Sequence, residues 1–128
     1  MDYRNEAEAR NLVKVSYKTG EYVGEVVSRD ERRVLVAILS VLKHPTQGDL
    51  HHPYEPDVPI FHERRALSYT EKAWIPAQAI EPYQGEPPAY GESLRRALQE
   101  EIERIDKLNR WSARSLEQLG TLRKDYGY

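Results

Sequence analysis

The chain contains no cysteine, which removes disulfides, thiolate nucleophiles, Cys-ligated zinc and S-linked lipids from consideration. It also lacks any apolar stretch of membrane-spanning length. The longest such run, residues 34–42, falls far short of the roughly 20 residues a bilayer requires. Residues 1–11 are charged throughout and no apolar segment follows them, so neither a signal peptide nor a lipoprotein cleavage site is read here. The expectation is a cytoplasmic chain without direct membrane insertion. Nor does one sign of charge dominate, with 19 basic against 21 acidic residues. Residues 1–90 carry 11 Lys and Arg against 14 Asp and Glu, a net −3, while residues 91–128 carry 8 against 7. The strong positive field that binding to a phosphate backbone normally requires is missing. The pairs Arg32-Arg33 and Arg64-Arg65 read as solvated turn residues.

With 128 residues the chain has the length of one domain that can bury one core. Residues 1–10 read as a polar, frayed lead-in. Over 11–42 the apolar pattern has period two: Val13, Val15 and Tyr17 alternate with Leu12, Lys14 and Ser16. A turn at Thr19-Gly20 leads to Tyr22, Gly24 and Val26 alternating with Val23, Glu25 and Val27, a hairpin pattern. Gly24 inside a strand predicts a bulge or sharp bend. The third strand, 34–42, follows a turn at 29–32 and is apolar on both faces. Val34, Val36, Ile38 and Leu42 lie on one face, with Leu35, Ala37, Leu39 and Val41 on the other. Its outer face therefore needs a cover, and the C-terminal segment is the one available.

Prolines at 45, 53, 56 and 59 make residues 44–65 an irregular excursion, since proline removes ladder donors and blocks helix. Strand character returns over 66–69 and 72–75. A Pro76-initiated turn and a short last strand follow, as at the end of an SH3-like barrel. Residues 84–88 form a linker. Beyond them the period is helical: Leu94, Leu98, Ile102 and Ile105 or Leu108 form one stripe, and Leu116, Leu119, Leu122 and Tyr126 another. Ser112 is placed to cap a second helix, so two helices are expected. The acid-before-base pairs Glu100/Arg104, Glu103/Lys107 and Asp106/Arg110 support an exposed helical face. The fold class expected is mainly β: a partly open SH3-like β-barrel over 11–84, with a two-helix extension over 88–128 packed on it as part of the same domain.

Motifs for catalysis are few. His44, His51, His52 and His62, with Asp49, Asp57 and Glu63 nearby, match no compact ligand spacing. His62-Glu63-Arg64-Arg65-Ala66 starts like a metalloprotease helix but has Ala66 where the second histidine must stand. Ser40-Val41-Leu42-Lys43 and Lys18-Thr19-Gly20 match two penicillin-binding signatures in reversed order, without the third. No metal, no cofactor and no enzymatic activity are expected. The loop itself mixes rigid prolines, hydrogen-bonding side chains and apolar residues. That composition suits a binding rim, and it suits equally a loop whose Leu50 and Phe61 plug the barrel mouth while its histidines bond to backbone.

Several stretches resemble the kinase-associated protein B family, also called kinase-associated lipoprotein B, of endospore-forming bacteria. They are Tyr17-Lys18-Thr19-Gly20-Glu21-Tyr22-Val23-Gly24-Glu25, residues 41–53 with the histidine–proline loop, residues 57–67, Ile75-Pro76, Pro82-Tyr83 and the Ser115-to-Tyr126 leucine stripe. The resemblance implies SH3-like barrels with C-terminal helices and a non-catalytic, accessory role in activating a sporulation sensor histidine kinase and its phosphorelay. The expected partner is that kinase or another phosphorelay component, and no oligomeric state follows. The candidate partner-binding residues lie on the loop: Gln47, Asp49, His51, His52, Tyr54, Phe61, His62, Glu63 and Arg64. A different class, a small β-barrel binding RNA or the ribosome, is the alternative, and the net charge of residues 1–90 argues against it. RNA affinity should be weak and vanish with modest added salt, which a filter-binding titration at two ionic strengths checks.

Overall fold

A computed structural model describes residues 10–128; the lead-in expected over 1–10 lies, apart from Arg10, outside the described residues. Strand β1 is Leu12–Tyr17, β2 Gly20–Arg29, β3 Arg33–Lys43, β4 Lys72–Pro76 and β5 Ile80–Pro82. A single 3-10 turn, Ala77–Ala79, separates β4 from β5, and helix α1 is Tyr90–Asp125. The strands form one open sheet in the order β4-β3-β2-β1-β5, with every neighbour antiparallel. The chain divides into two compact units inside α1, one reaching to Leu98 and the other Gln99–Tyr128.

The first turn sits one residue earlier than the sequence suggests. Lys18 and Thr19 both have positive φ, 45° and 71°, which is the twist a tight two-residue hairpin needs. Gly20 instead opens β2, where a Cβ would lie 2.5 Å from the Tyr22 hydroxyl. Its missing side chain lets the Tyr22 ring lie along the strand. The next turn is held by Asp30, whose carboxylate accepts the N–H groups of Arg32 and Arg33 at 3.0 and 2.8 Å.

The β2–β3 ladder slips three times. One extra residue is accommodated at Leu42, at Leu39 and at Val27, as the partner pairs Tyr22↔Val41, Val23↔Ser40, Gly24↔Ile38 and Val26↔Val36 show. Gly24 stands beside the middle slip, where a Cβ would meet Val36 Cγ1 at 2.2 Å and the Ala37 carbonyl at 2.8 Å. The bend expected at this glycine is therefore present, and no other residue fits. The slips also correct the expected faces of β3. Val34, Val36 and Ile38 point into the core, but past Leu39 the alternation resets and Val41 joins them in place of Leu42. Val13, Val15, Tyr22, Ala73, Ile75 and Ala97 complete the cluster. Each fully buried Val or Ile contributes roughly 1.5–3 kcal/mol relative to an exposed one.

Three further expectations are corrected. Residues 66–69 form no strand: the Leu67 N–H donates to the Tyr22 hydroxyl at 3.3 Å, and its carbonyl accepts from the Tyr90 hydroxyl at 2.6 Å. With both groups bound to tyrosine hydroxyls, Leu67 has none left for a ladder. The C-terminal segment is one helix, not two, because nothing at 109–112 forces Ser112 out of helical geometry. The helix runs unbroken from Tyr90 to Asp125, and Arg110, inside the expected break, pairs with Asp106 one helical turn earlier at 3.0 Å. The label mainly β also fails, since α1 alone has 36 residues, about as many as strands of 6, 10, 11, 5 and 3 together.

The start of α1 locks onto β3. Ser40, fully buried, donates its hydroxyl to the Pro88 carbonyl. The Val41 N–H, displaced from the ladder by the slips, donates to Ser93 Oγ at 2.9 Å. The Ser93 hydroxyl in turn donates to the Tyr90 carbonyl at 2.8 Å. On the other side of the sheet the Arg33 guanidinium lies over the Trp74 ring, 4.7 Å from its centroid. Trp74 is paired with Leu35, so these two side chains shield that part of the outer face where a helix was expected. Ser93→Ala leaves the buried Val41 N–H without a partner and should destabilise the fold by about 1–3 kcal/mol. Urea unfolding checks this, with Ser28→Ala, on an exposed position of β2, expected to change stability by less than about 0.5 kcal/mol.

Candidate functional site

Between β3 and β4 the chain leaves the sheet for residues 44–71. Two legs of this excursion are zipped together near its base. The Gly48 N–H donates to the His62 carbonyl at 2.9 Å. The Gln47 amide nitrogen donates to the carbonyls of Pro45 and Arg64, each at 3.0 Å, while its oxygen accepts the Arg64 N–H at 2.8 Å. The Arg64 guanidinium donates twice to the Gly48 carbonyl, at 3.2 and 3.1 Å. Gly48 has φ +99°, and a Cβ there would meet the Phe61 ring at 2.8 Å. The ring thus lies against the bare glycine backbone. At the base, the Thr46 N–H donates to Thr19 Oγ1 at 2.9 Å, which ties the loop to the β1–β2 turn.

Above the zipped legs, Asp49 organises the next turn. Its carboxylate accepts the His51 N–H at 2.9 Å and faces His52 Nδ1 at 3.1 Å, while the His52 N–H donates to the Asp49 carbonyl at 3.2 Å. The His51 N–H and the His52 ring hold the Asp49 carboxyl below the usual carboxylate range.

The structure therefore splits the nine sequence candidates into groups. Gln47, Asp49 and Arg64 are occupied in bonding the loop to itself. Tyr54, Phe61, His51, His52, His62 and Glu63 are exposed, as is the neighbouring Ile60. Phe61 is 59 % exposed and Tyr54 72 %, so Phe61 does not plug the sheet; Ala66 and Leu67 are the loop residues that pack on the core. Among the described residues, no three His, Cys, Asp or Glu gather where a metal ion could be held. Ser40 of the penicillin-binding pattern is buried against Pro88 and faces no base.

A cleft of about 290 Å³ opens at the foot of the loop, lined among others by Tyr17, Lys18, Tyr22, Arg64, Arg65 and Glu71. It brings Glu63 and Arg64 next to Lys18, whose ammonium lies 5.3 Å from the Tyr17 ring centroid. Sequence reasoning named neither Lys18 nor Arg65 as a site residue. The signal available was the Tyr17-Lys18-Thr19 turn, which lacks the asparagine or glycine that positive φ favours. Burial raises the Tyr22 hydroxyl above its ordinary value, against the opposing effect of the Leu67 N–H. With Lys18, Arg64 and Arg65, the carboxylates of Glu63 and Glu71 and a neutral phenol in its lining, the cleft suits a polar group better than a hydrocarbon.

Because the folded-state pKa of Asp49 is depressed, its contribution to loop order is present above the usual carboxylate pKa. That contribution is lost as pH falls below about 4. The His51 amide should lose its protection from hydrogen exchange in this acid range before the β3 amides do, which exchange followed by NMR across the range checks.

The kinase associated protein B family matches residues 17–127. Kinase-associated lipoprotein B of Bacillus subtilis (strain 168) is 46 % identical over 120 residues, covering 93 % of this chain and 94 % of that protein. The crystal structure of kinase-associated protein B from Bacillus cereus superposes with a TM-score of 0.65 at 38 % identity, covering 93 % of this chain and 96 % of that one. The B. subtilis relative is a lipoprotein by name, and this overturns the cytoplasmic location expected from the sequence. The charged first residues describe only themselves and do not fix the compartment in which the folded chain works. Among the described residues, no helix is long and apolar enough to cross a membrane. The family sets the chain in a kinase-associated, regulatory context, as a non-enzymatic protein. With match, identity and structural likeness in agreement over nearly its whole length, the chain belongs to the kinase-associated protein B family.

Proposed function

We propose that this chain is a regulatory module that binds a sensor histidine kinase, or another component of a sporulation phosphorelay, through the exposed rim of its 44–65 loop. The strand order, with β1 between β2 and β5, supports reading the sheet as a partly open SH3-like barrel that acts as the loop's platform. One observation carries the proposal: the loop's internal hydrogen bonds are made by Gln47, Asp49 and Arg64, leaving Tyr54, Ile60 and Phe61 largely exposed. Such residues are of the kind that dominates binding energy. A rim already fixed by its own bonds loses little conformational entropy on docking. The histidines His51, His52 and His62, with Glu63, supply polar contacts around these anchors.

The kinase-associated relatives supply the partner class, and family membership is the support for that step. The test is a pull-down of sensor kinases and phosphorelay proteins, run beside thermal melts. Tyr54→Ala combined with Phe61→Ala should cost about 2 kcal/mol or more of binding, roughly a 30-fold loss of affinity, with the melting temperature nearly unchanged. Gln47→Ala should act the other way, lowering loop order first and capture only through it. Capture that survives loss of both aromatic side chains would remove the loop rim as the binding face.

A further inference from the structure

The second compact unit, Gln99–Tyr128, leaves its aliphatic side chains exposed. Ile102, Ile105, Leu108, Leu116, Leu119 and Leu122 are each 39–69 % accessible and form a strip along α1. From Ile102 to Leu122 the strip runs roughly 30 Å at 1.5 Å per residue. Soluble monomers rarely expose apolar patches beyond a few hundred Å², so a strip of this length calls for a partner.

The order of residues in the strip identifies that partner. Ile102, Ile105 and Leu108 precede Ser112 by 10, 7 and 4 positions, and Leu116, Leu119 and Leu122 follow it by 4, 7 and 10. The strip is thus unchanged when read in the opposite direction about Ser112. A surface of that kind is complementary to itself under a two-fold axis, the symmetry of an isologous dimer in which residue i meets j and j meets i. An antiparallel second copy crossing at Ser112 sets Ile102 opposite Leu122, Ile105 opposite Leu119 and Leu108 opposite Leu116. Small residues at the crossing, Ser112, Ala113 and Ser115, let the two backbones approach.

Charge selects the same arrangement. Residues 99–106 carry four acids and one base, net −3, whereas residues 107–125 carry five bases and two acids, net +3. Antiparallel pairing lays the acidic half of each helix on the basic half of the other. The same reflection brings Glu100 to Lys124 and Lys107 to Glu117. Parallel pairing would oppose like charges along the whole length, which is unfavourable. We infer that the C-terminal helix unit pairs antiparallel with that of a second copy of this chain, with the two-fold axis at Ser112.

The lack of cysteine makes the test free of competing thiols. Ser112→Cys in the full chain should oxidise readily to a covalent dimer, because the axis brings each thiol to its own counterpart. Thr121→Cys, on the opposite side of the helix, should not. Sedimentation equilibrium of the unmodified chain should show a monomer–dimer equilibrium, and Leu116→Glu with Leu119→Glu should weaken it by more than about tenfold. Circular dichroism confirms that the helix of this variant is retained, since both leucines are exposed in the single chain. A monomer up to roughly 100 µM, where even weak specific pairs associate, would overturn the inference. So would self-crosslinking of Leu119→Cys as readily as Ser112→Cys, which reports a parallel pair, since only there does every strip residue meet its own counterpart. Occupation of the strip by a kinase helix, with the chain alone monomeric, would assign it to another protein and overturn it as well.

Discussion

The backbone of Leu67 is the point on which the first unit depends. Its N–H reaches the Tyr22 hydroxyl on β2, and its carbonyl takes the Tyr90 hydroxyl at the start of α1. One residue of irregular backbone thereby joins sheet, loop and helix. Burial raises both phenols above their ordinary values, so each stays neutral and available as a hydrogen-bonding group. The slips of β3 complete the arrangement, because they free the Val41 N–H for Ser93 and turn Ser40 toward Pro88. Irregularities in the sheet thus create the sites at which the helix is held.

The parts of the fold legible in the sequence are those governed by local alternation. The strands β1 to β4, the bend at Gly24 and the short last strand after Pro76 all follow from residue pattern and turn chemistry. What was illegible depends on distant partners. Ala66-Leu67-Ser68-Tyr69 has the composition of a strand, but two tyrosine hydroxyls, 45 and 23 positions away in sequence, take the groups a ladder would need. Val41 and Leu42 exchange faces because of slips that no period-two pattern can show. Ser112 has the chemistry of a cap, yet a cap forms only where the backbone leaves helical geometry, and nothing there makes it leave.

The loop shows a similar division. Its prolines and histidines make it recognisable, but composition could not separate side chains that build the loop from those it presents. The structure separates them by hydrogen bonding: an amide and a guanidinium make the zipped legs and a carboxylate the turn above them, while aromatic groups stand outside. The cleft at the loop's foot was missed for a related reason. Lys18 reaches it from a turn some 27 positions before Thr46, and the bond from the Thr46 N–H to Thr19 Oγ1 is what places the two beside each other.

An open sheet has two edges, and both are guarded here. β5 is three residues long and ends in Pro82, while β4 ends in Pro76. Proline offers no N–H to an incoming strand, and a three-residue edge offers few groups of any kind. The sheet can therefore stay open without serving as a template for edge-to-edge aggregation. That protection leaves the chain free to change its loop or its helix without exposing a sticky strand.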